Sequence, residues 1–141
     1  MFTKDDWSIE LDNYGVRFEL IGNDVIYSVP HGSIREEYVE KFIKLHEKVF
    51  DDAGLTAQGY CYHIFNWGKV EKTTWRARKM YIAGIKDLNK KVPCHLSVGF
   101  GLNQFMSTII KFSKQFVPFP ITIANNFEEA LTVIGREKHK E

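Results

Sequence analysis

The stretch that decides the fold is GYCYHIFN, residues 59–66. Apolar side chains fill nearly every position of this run, so it lacks the alternation of a strand that has one face in water. Such a strand is typical of the centre of a parallel sheet, where helices cover both faces. We therefore predict a central β-strand over residues 59–66.

Upstream of this strand, the sequence predicts a β-hairpin. Residues 16–20 alternate apolar and polar side chains, and residues 25–29 form a second apolar run. Between them lies Gly-Asn-Asp at 22–24, which is turn chemistry because glycine and asparagine tolerate a positive φ. Pro30 and Gly32 are expected to end the second strand.

Polar residues mark the expected starts of helices. Ser33 and Glu36 have the spacing of a capping box, which predicts a helix that ends at Gly54. Thr73 or Thr74 is expected to cap the next helix. The remaining predicted elements are a strand at 94–98, a tight turn at 99–101, a helix at 103–116, a strand at 121–124 and a helix from 126 to near 135.

Together these elements predict one α/β domain over residues 1–135. It has an N-terminal β-hairpin followed by alternating strands and helices, with a mixed, mostly parallel five-stranded sheet and about four helices. The polar residues 136–141 are interpreted as a tail or linker stub. A chain of 141 residues is long enough to bury a core without disulfides or metals.

Charge and the N-terminal sequence narrow the function classes. The formal net charge is +1, which argues against strong nucleic-acid binding even though the helix that follows Trp75 is basic. Residues 1–12 contain five charged side chains and no apolar run of signal-peptide length. We therefore expect a cytoplasmic protein.

Two cysteines and their neighbouring histidines raise the question of a metal site. Cys61 and His63 share one face of the predicted central strand, whereas Cys94 and His95 are adjacent and point to opposite faces. This arrangement supplies at most three ligands on one side, and the sequence contains no Cys-x-x-Cys pair. We predict that Cys61 and Cys94 are free, buried and metal-free, as suits a reducing compartment.

No residue pattern in the sequence specifies an enzyme. Gly99 and Gly101 lie between a strand and a helix, as in dinucleotide-binding loops, but Gln104 occupies the position of the third glycine. A Gly-x-Ser-x-Gly nucleophile elbow is absent. We therefore expect no catalytic residues and no cofactor.

The strongest candidate for a binding surface is the end of the central strand together with the start of the next helix. Open α/β sheets bind ligands and partners at the carboxyl ends of their strands, and tryptophan and arginine are enriched in binding hot spots. The predicted site consists of Asn66, Trp67, Thr73, Thr74, Trp75 and Arg76. The alternative is that both tryptophans cover the edge of the sheet.

The element order and two stretches of sequence resemble the STAS domain, the fold of anti-sigma-factor antagonists. The first stretch is residues 60–66 with the later Trp-Arg-Ala-Arg helix start at 75–78, and the second is Phe-Val-Pro-Phe at 116–119. The resemblance extends over residues 16–134. It includes the STAS-like sensory modules that are fused to bacterial histidine kinases.

In the STAS family, a strand-to-helix loop meets the partners and carries an Asp-Ser pair whose serine a partner kinase phosphorylates. The corresponding loop here, residues 69–74, has no Asp-Ser pair, and Thr73 and Thr74 are the hydroxyls near that place. The resemblance thus implies a partner surface at this loop and leaves its phosphorylation open.

We therefore expect a non-catalytic signalling or regulatory module of a bacterial signal-transduction protein. Its partner would be a histidine kinase or other signalling domain, a second copy of the chain, or a small ligand, rather than nucleic acid or a membrane. Two alternatives stay open. One is a small-molecule or lipid-binding domain that uses the aromatic residues of the helix at 103–116, and the other is an enzyme of unknown chemistry.

Overall fold

A seven-stranded sheet forms the middle layer of the computed structural model, which describes residues 1–140 apart from the side chain of Phe105. Its strands are β1 (Ser8–Glu10), β2 (Tyr14–Ile21), β3 (Val25–Ile34), β4 (Cys61–Asn66), β5 (Lys69–Thr73), β6 (Cys94–Phe100) and β7 (Ile121–Ile123). The strand order is β1-β2-β3-β4-β6-β7. β4 pairs with the first half of β3, and β5 pairs with its second half.

Helices cover both faces of this sheet. They are α1 (Glu36–Asp52), α2 (Leu55–Gln58), α3 (Trp75–Lys91), α4 (Gln104–Ser113) with a following 3-10 turn (Lys114–Phe116), and α5 (Phe127–His139). α1 and α3 contribute Phe42 and Ile85 to one core cluster, and α5 contributes Ala130 and Ile134 to the cluster on the other face. No helix within residues 1–140 combines the length and apolar character needed to cross a membrane.

The predicted central strand is confirmed as β4. Five of its six residues are buried, and both of its neighbours, β3 and β6, run parallel to it. The continuous apolar run arises because helices cover this strand on both sides. The parallel pairing expected between the strands at 59–66 and 94–98 is therefore present.

β3 is longer than predicted, and the predicted capping box is wrong. The strand continues through Pro30 and Gly32 because its second half pairs with β5. Gly32 has a φ of +84°, which glycine adopts without penalty, and the pairing register shifts beside it. Ser33 therefore lies in a strand, and α1 begins at Glu36 after Arg35, whose side chain makes no cap bond.

The prediction of five strands is wrong, because the part of the chain that the structure describes has seven. β5 occupies most of the segment expected to be a loop. Its side chains are largely exposed, so backbone pairing with β3 holds it, and the sequence shows no apolar pattern there. β1 is a three-residue strand that pairs antiparallel with β2, as β2 does with β3.

The cap predicted for α3 at Thr73 or Thr74 is confirmed at Thr74, and the last helix begins with a cap of the same kind. The Thr74 hydroxyl accepts a hydrogen bond from the Ala77 backbone N–H at 3.1 Å, which caps α3. The side-chain oxygen of Asn126 accepts one from the Glu129 backbone N–H at 2.8 Å, which caps α5. These bonds fix where both helices begin.

α5 is longer than predicted. It continues past Gly135 to His139, and Lys138 Nζ lies 2.7 Å from Asp24 Oδ1, which joins the helix to the β2–β3 turn. Arg136 is therefore helical. That residues 136–141 lead into a linker stays a prediction, and Glu141 lies outside the described residues.

Candidate functional site

A cavity of about 90 Å³ lies on the face of the sheet that α1 and α3 cover. Phe65 and Ser97 line it from the sheet, Ala77 from α3, and Ile109 and Ile110 from α4. The walls are almost entirely apolar. The volume is several times what one water needs, so the cavity has room for part of an organic molecule.

α4 borders this cavity with its aliphatic side. Ile109 and Ile110 line the cavity yet stay only half-buried. Phe112 and Phe116, whose ring centroids lie 5.5 Å apart, are 66% and 44% exposed. The expectation that the aromatic residues of this helix form a pocket is therefore wrong for Phe112 and Phe116. The aliphatic residues of the helix line the cavity instead.

Two residues of the lining, Tyr81 and Ser97, carry buried hydroxyl groups that have no hydrogen-bond partner within residues 1–140. Ser97 is fully buried, and neither its Oγ nor the buried Oη of Tyr81 is bonded. Burial raises the pKa of Tyr81 well above its usual value, so the phenol is neutral. An unsatisfied buried hydroxyl costs roughly 1–3 kcal/mol, so both groups lower the stability of the surrounding core.

One cation also lines the cavity. Arg78 Nη1 donates to the Thr73 backbone carbonyl at 3.3 Å, and no carboxylate of residues 1–140 lies within 4.0 Å of its guanidinium. Arg78 and Tyr81 are three residues apart on α3, so their side chains emerge on the same side of the helix. The cavity is therefore apolar, and Arg78 is the one charged side chain among the lining residues that the structure describes.

Three of the six predicted site residues lie at or beside the cavity. Trp67 stacks on Phe65 at 5.8 Å between ring centroids, and both Trp67 and Thr73 line the cavity. Asn66 donates from Nδ2 to the Tyr27 hydroxyl at 3.1 Å and accepts from the Gly68 N–H at 3.0 Å. Asn66 thus shapes the turn between β4 and β5, and Trp67 packs against the core.

The other three residues form an outer surface at the start of α3. The Thr74 hydroxyl caps α3 and donates to Glu36 Oε1 at 3.1 Å. Trp75 is 63% exposed, with Lys79 Nζ 4.4 Å from its ring centroid, and Arg76 is exposed. The predicted residues therefore divide between the cavity and an outer face, and the two tryptophans have different environments.

The residues that sequence reasoning missed are Arg78, Tyr81 and Ser97. Tyr81 fits the buried stripe of α3, and Ser97 lies inside an apolar strand, so both resemble ordinary core positions. The available signal was a serine between the apolar residues Leu96 and Val98 of this strand. No feature of the sequence indicates the cavity itself, because it forms where three helices and the sheet leave the space between them unfilled.

A second buried polar group lies in the core below α1. The Ser28 Oγ and His63 Nε2 are 3.0 Å apart, and the His46 ring lies 5.0 Å from that of His63. Burial lowers the pKa of His46 to about 3 and that of His63 well below its usual value, where the neighbouring His46 contributes as well. Both rings are therefore neutral, and Ser28 is fully buried, so this serine–histidine pair has no access to a substrate.

The two cysteines are free, as predicted, but their burial differs. Cys61 and Cys94 are paired positions on β4 and β6, and Cys61 is buried while Cys94 is partly exposed. The prediction that both are buried is thus corrected for Cys94. Hydrogen bonding to Cys61 and burial raise the pKa of the Cys94 thiol. Among the described residues, no three His, Cys, Asp or Glu side chains are placed to hold a metal ion.

The chain is similar to known proteins in structure rather than in sequence. No protein-family model matches the sequence, and no curated protein matches it. One similar solved structure is an uncharacterised DUF3478-family protein with a SpoIIAA-like fold from Shewanella loihica PV-4. Its TM-score is 0.64 at 13% identity, over 88% of this chain and 95% of that one.

Two further similar structures are those of the anti-sigma factor antagonist SpoIIAA. The unphosphorylated form aligns with a TM-score of 0.59 at 13% identity, over 84% of this chain and 96% of that one. The phosphorylated form, described as a Bacillus cell fate determinant, aligns with a TM-score of 0.57 at 12% identity, over 84% and 98%. The chain therefore has a SpoIIAA-like, that is STAS-like, α/β fold.

Proposed function

We propose that this chain is a non-catalytic regulatory module that binds a small, largely apolar ligand in the cavity beside α4. The observation that carries the proposal is a cavity of about 90 Å³ with almost entirely apolar walls. A ligand that fills it supplies the contacts that the lining side chains lack. Concave, mostly apolar pockets are typical of small-molecule sites.

The position of the cavity suggests how occupancy would be communicated. Trp67 and Thr73 line the cavity, and Thr73 is followed directly by Thr74 and Trp75 of the outer surface. A ligand that orders the cavity wall would therefore act on the start of α3 through adjacent backbone. On the opposite side of the cavity, the ligand would contact Ile109 and so favour the packing of α4 against the rest of the domain.

Filling the cavity from α4 is expected to abolish ligand binding. Ile109→Trp places an indole in the cavity, whereas Thr108→Trp places the same side chain on the exposed side of the same helix. Calorimetric titration with decanol should give an affinity at least about tenfold weaker for Ile109→Trp and unchanged for Thr108→Trp. Equal affinities in the two folded variants would place the ligand elsewhere.

A second candidate function is protein binding at the start of α3. The observation that favours it is the exposure of Trp75, at 63%, with Lys79 beside its ring and the exposed Arg76 next to it. Tryptophan and arginine at a surface are characteristic of binding hot spots. The partner would be a histidine kinase or other cytoplasmic signalling domain of a bacterial pathway, or a second copy of this chain.

Site-specific photo-crosslinking tests this surface. A benzophenone side chain in place of Trp75 is expected to capture one partner, and the same group in place of the exposed Lys111 of α4 is expected not to. Once the partner is purified, Arg76→Glu should weaken its binding at least about tenfold. Arg76 is a cleaner probe than Thr74, because Thr74 also caps α3 and bonds Glu36. Identical products from both positions would count against the surface.

A further inference from the structure

The solvent-facing side of α3 carries a row of basic residues. Ala77, Ile85 and Leu88 are the buried residues of this helix, so its opposite side faces water. That side, which we call the basic face, consists of Trp75, Arg76, Lys79, Lys86 and Lys90, and all five are exposed. Because α3 has 17 residues, the basic face extends over about 25 Å.

Most of the charge of the basic face is not neutralised within the chain. Arg76, Lys79 and Lys86 form no ion pair with a carboxylate of residues 1–140. Asp87, the one acidic residue of α3, lies 3.8 Å from Lys90. Two lysines of α1, by contrast, each pair with a carboxylate four residues away on the same helix. The basic face is therefore complementary to a partner that carries negative charge.

Two exposed apolar side chains accompany these cations. Trp75 is 63% exposed, and Met80, one helical turn after Arg76, is 41% exposed. Lys79 Nζ lies 4.4 Å from the centroid of the Trp75 ring, so a cation already covers one side of that ring. A partner that buries this surface must therefore bring apolar groups as well as negative charge.

Carboxylates near both ends of α3 favour a protein over nucleic acid or an anionic membrane. At its start, the Thr74 hydroxyl donates to Glu36 Oε1 at 3.1 Å, and the exposed Glu37 is next in sequence. At its end, Lys91 is paired with Glu47 of α1 at 2.8 Å. A continuous polyanion along the helix would meet these carboxylates, and such like-charge contacts are costly. A protein segment can place its acidic residues only where the cations lie.

We infer that the basic face of α3 binds an acidic protein segment that has apolar side chains among its carboxylates. The cations of the face pair with the carboxylates, and Trp75 packs against the apolar side chains. This inference rests on the proposed protein-binding function at the start of α3 and names the chemical class of the partner.

Peptides of matched length test the class of partner. We expect calorimetric titration to show that a peptide of five Glu-Glu-Leu repeats binds the intact chain at least about tenfold more tightly than one of five Gln-Gln-Leu repeats. Added salt should weaken the binding of the acidic peptide, because these charges are exposed. An oligothymidylate with the same number of negative charges should bind at least about tenfold more weakly than the acidic peptide. Vesicles of phosphatidylserine and phosphatidylcholine should not bind the chain.

Removal of charge from the helix tests the place of binding. The double change Lys79→Gln and Lys86→Gln should weaken binding of the Glu-Glu-Leu peptide at least about tenfold. The matched control is Lys111→Gln with Lys114→Gln, which removes the same charge from two exposed positions at the end of α4. We expect the control to keep the affinity for this peptide within about twofold of that of the parent.

The outcomes distinguish this inference from the function on which it rests. The acidic class is overturned if neither peptide binds, if both bind equally, if the oligothymidylate or the vesicles bind more tightly, or if the two double variants lose the same affinity. Photo-crosslinking at Trp75 then decides the function separately. A captured partner that binds equally at low and high salt keeps the protein-binding surface and contradicts the acidic class, whereas capture of no partner counts against both.

Discussion

Acidification from pH 7 to pH 5 is expected to lower the free energy of unfolding by about 2 kcal/mol through His46, and further in the same direction through His63. Both imidazoles are buried in the core, at 2% and 4% exposure. Burial lowers the pKa of His46 from 6.5 to about 3 and holds that of His63 well below 6.5. The Nδ1 atom of His46 has no hydrogen-bond partner in residues 1–140 that would stabilise a charged ring.

The sign of the effect follows from which state binds protons. Below about pH 6.5 the unfolded chain protonates both rings, whereas the folded chain keeps His46 neutral down to about pH 3. The two buried histidines therefore leave the free energy of unfolding at its full value above about pH 6.5, and they lower it as the pH falls below that value. His46 contributes a slope of about 1.4 kcal/mol per pH unit, or about 2 kcal/mol between pH 7 and pH 5, and His63 adds to the loss in the same direction.

Urea unfolding at several pH values tests this expectation. His46→Leu removes one titrating ring, so its free energy of unfolding should fall less steeply than that of the parent, by about 1.4 kcal/mol per pH unit below pH 6. Phe50→Leu is the matched control, because Phe50 packs on His46 at 4.7 Å between ring centroids and does not titrate. The idea fails if His46→Leu and Phe50→Leu show the same pH dependence.

The elements that the sequence predicted well are those whose local pattern and tertiary role agree. β4 is apolar throughout because both its faces are covered, and Thr74 and Asn126 cap their helices with their own side chains. β5 was missed because its side chains are exposed and its stability comes from hydrogen bonding to a strand that is distant in sequence. The local order of apolar and polar residues does not indicate such long-range pairing.

The candidate site was harder to predict than the fold for a related reason. Trp67 and Thr73 were identified from their position at the end of a strand, and both do line the cavity. Arg78 and Ser97 were not, because each comes to line the cavity only through the way that distant segments pack. Those are properties of packing between distant segments rather than of the residues or their spacing.

Replacing Gly32 with alanine is expected to cost about 3 kcal/mol or more of the free energy of unfolding. Gly32 has a φ of +84°, which disfavours any residue with a Cβ. A Cβ at this position would also lie 3.0 Å from the Asn13 carbonyl carbon and 3.2 Å from the Tyr14 Cα. The Asn13 carbonyl accepts the Ser33 N–H at 2.9 Å, so moving it away breaks the hydrogen bond that extends the β2–β3 pairing past Gly32.

Gly22→Ala in the turn of the same hairpin is the matched control. Gly22 also has a positive φ, of +64°, but no atom lies within 4 Å of the position that its Cβ would take. Only the backbone preference is lost there, so we expect a cost of about 1 kcal/mol. Urea unfolding of both variants separates the clash from the φ strain. If Gly22→Ala and Gly32→Ala lose the same stability, the close approach of β2 and β3 at Gly32 does not constrain the fold.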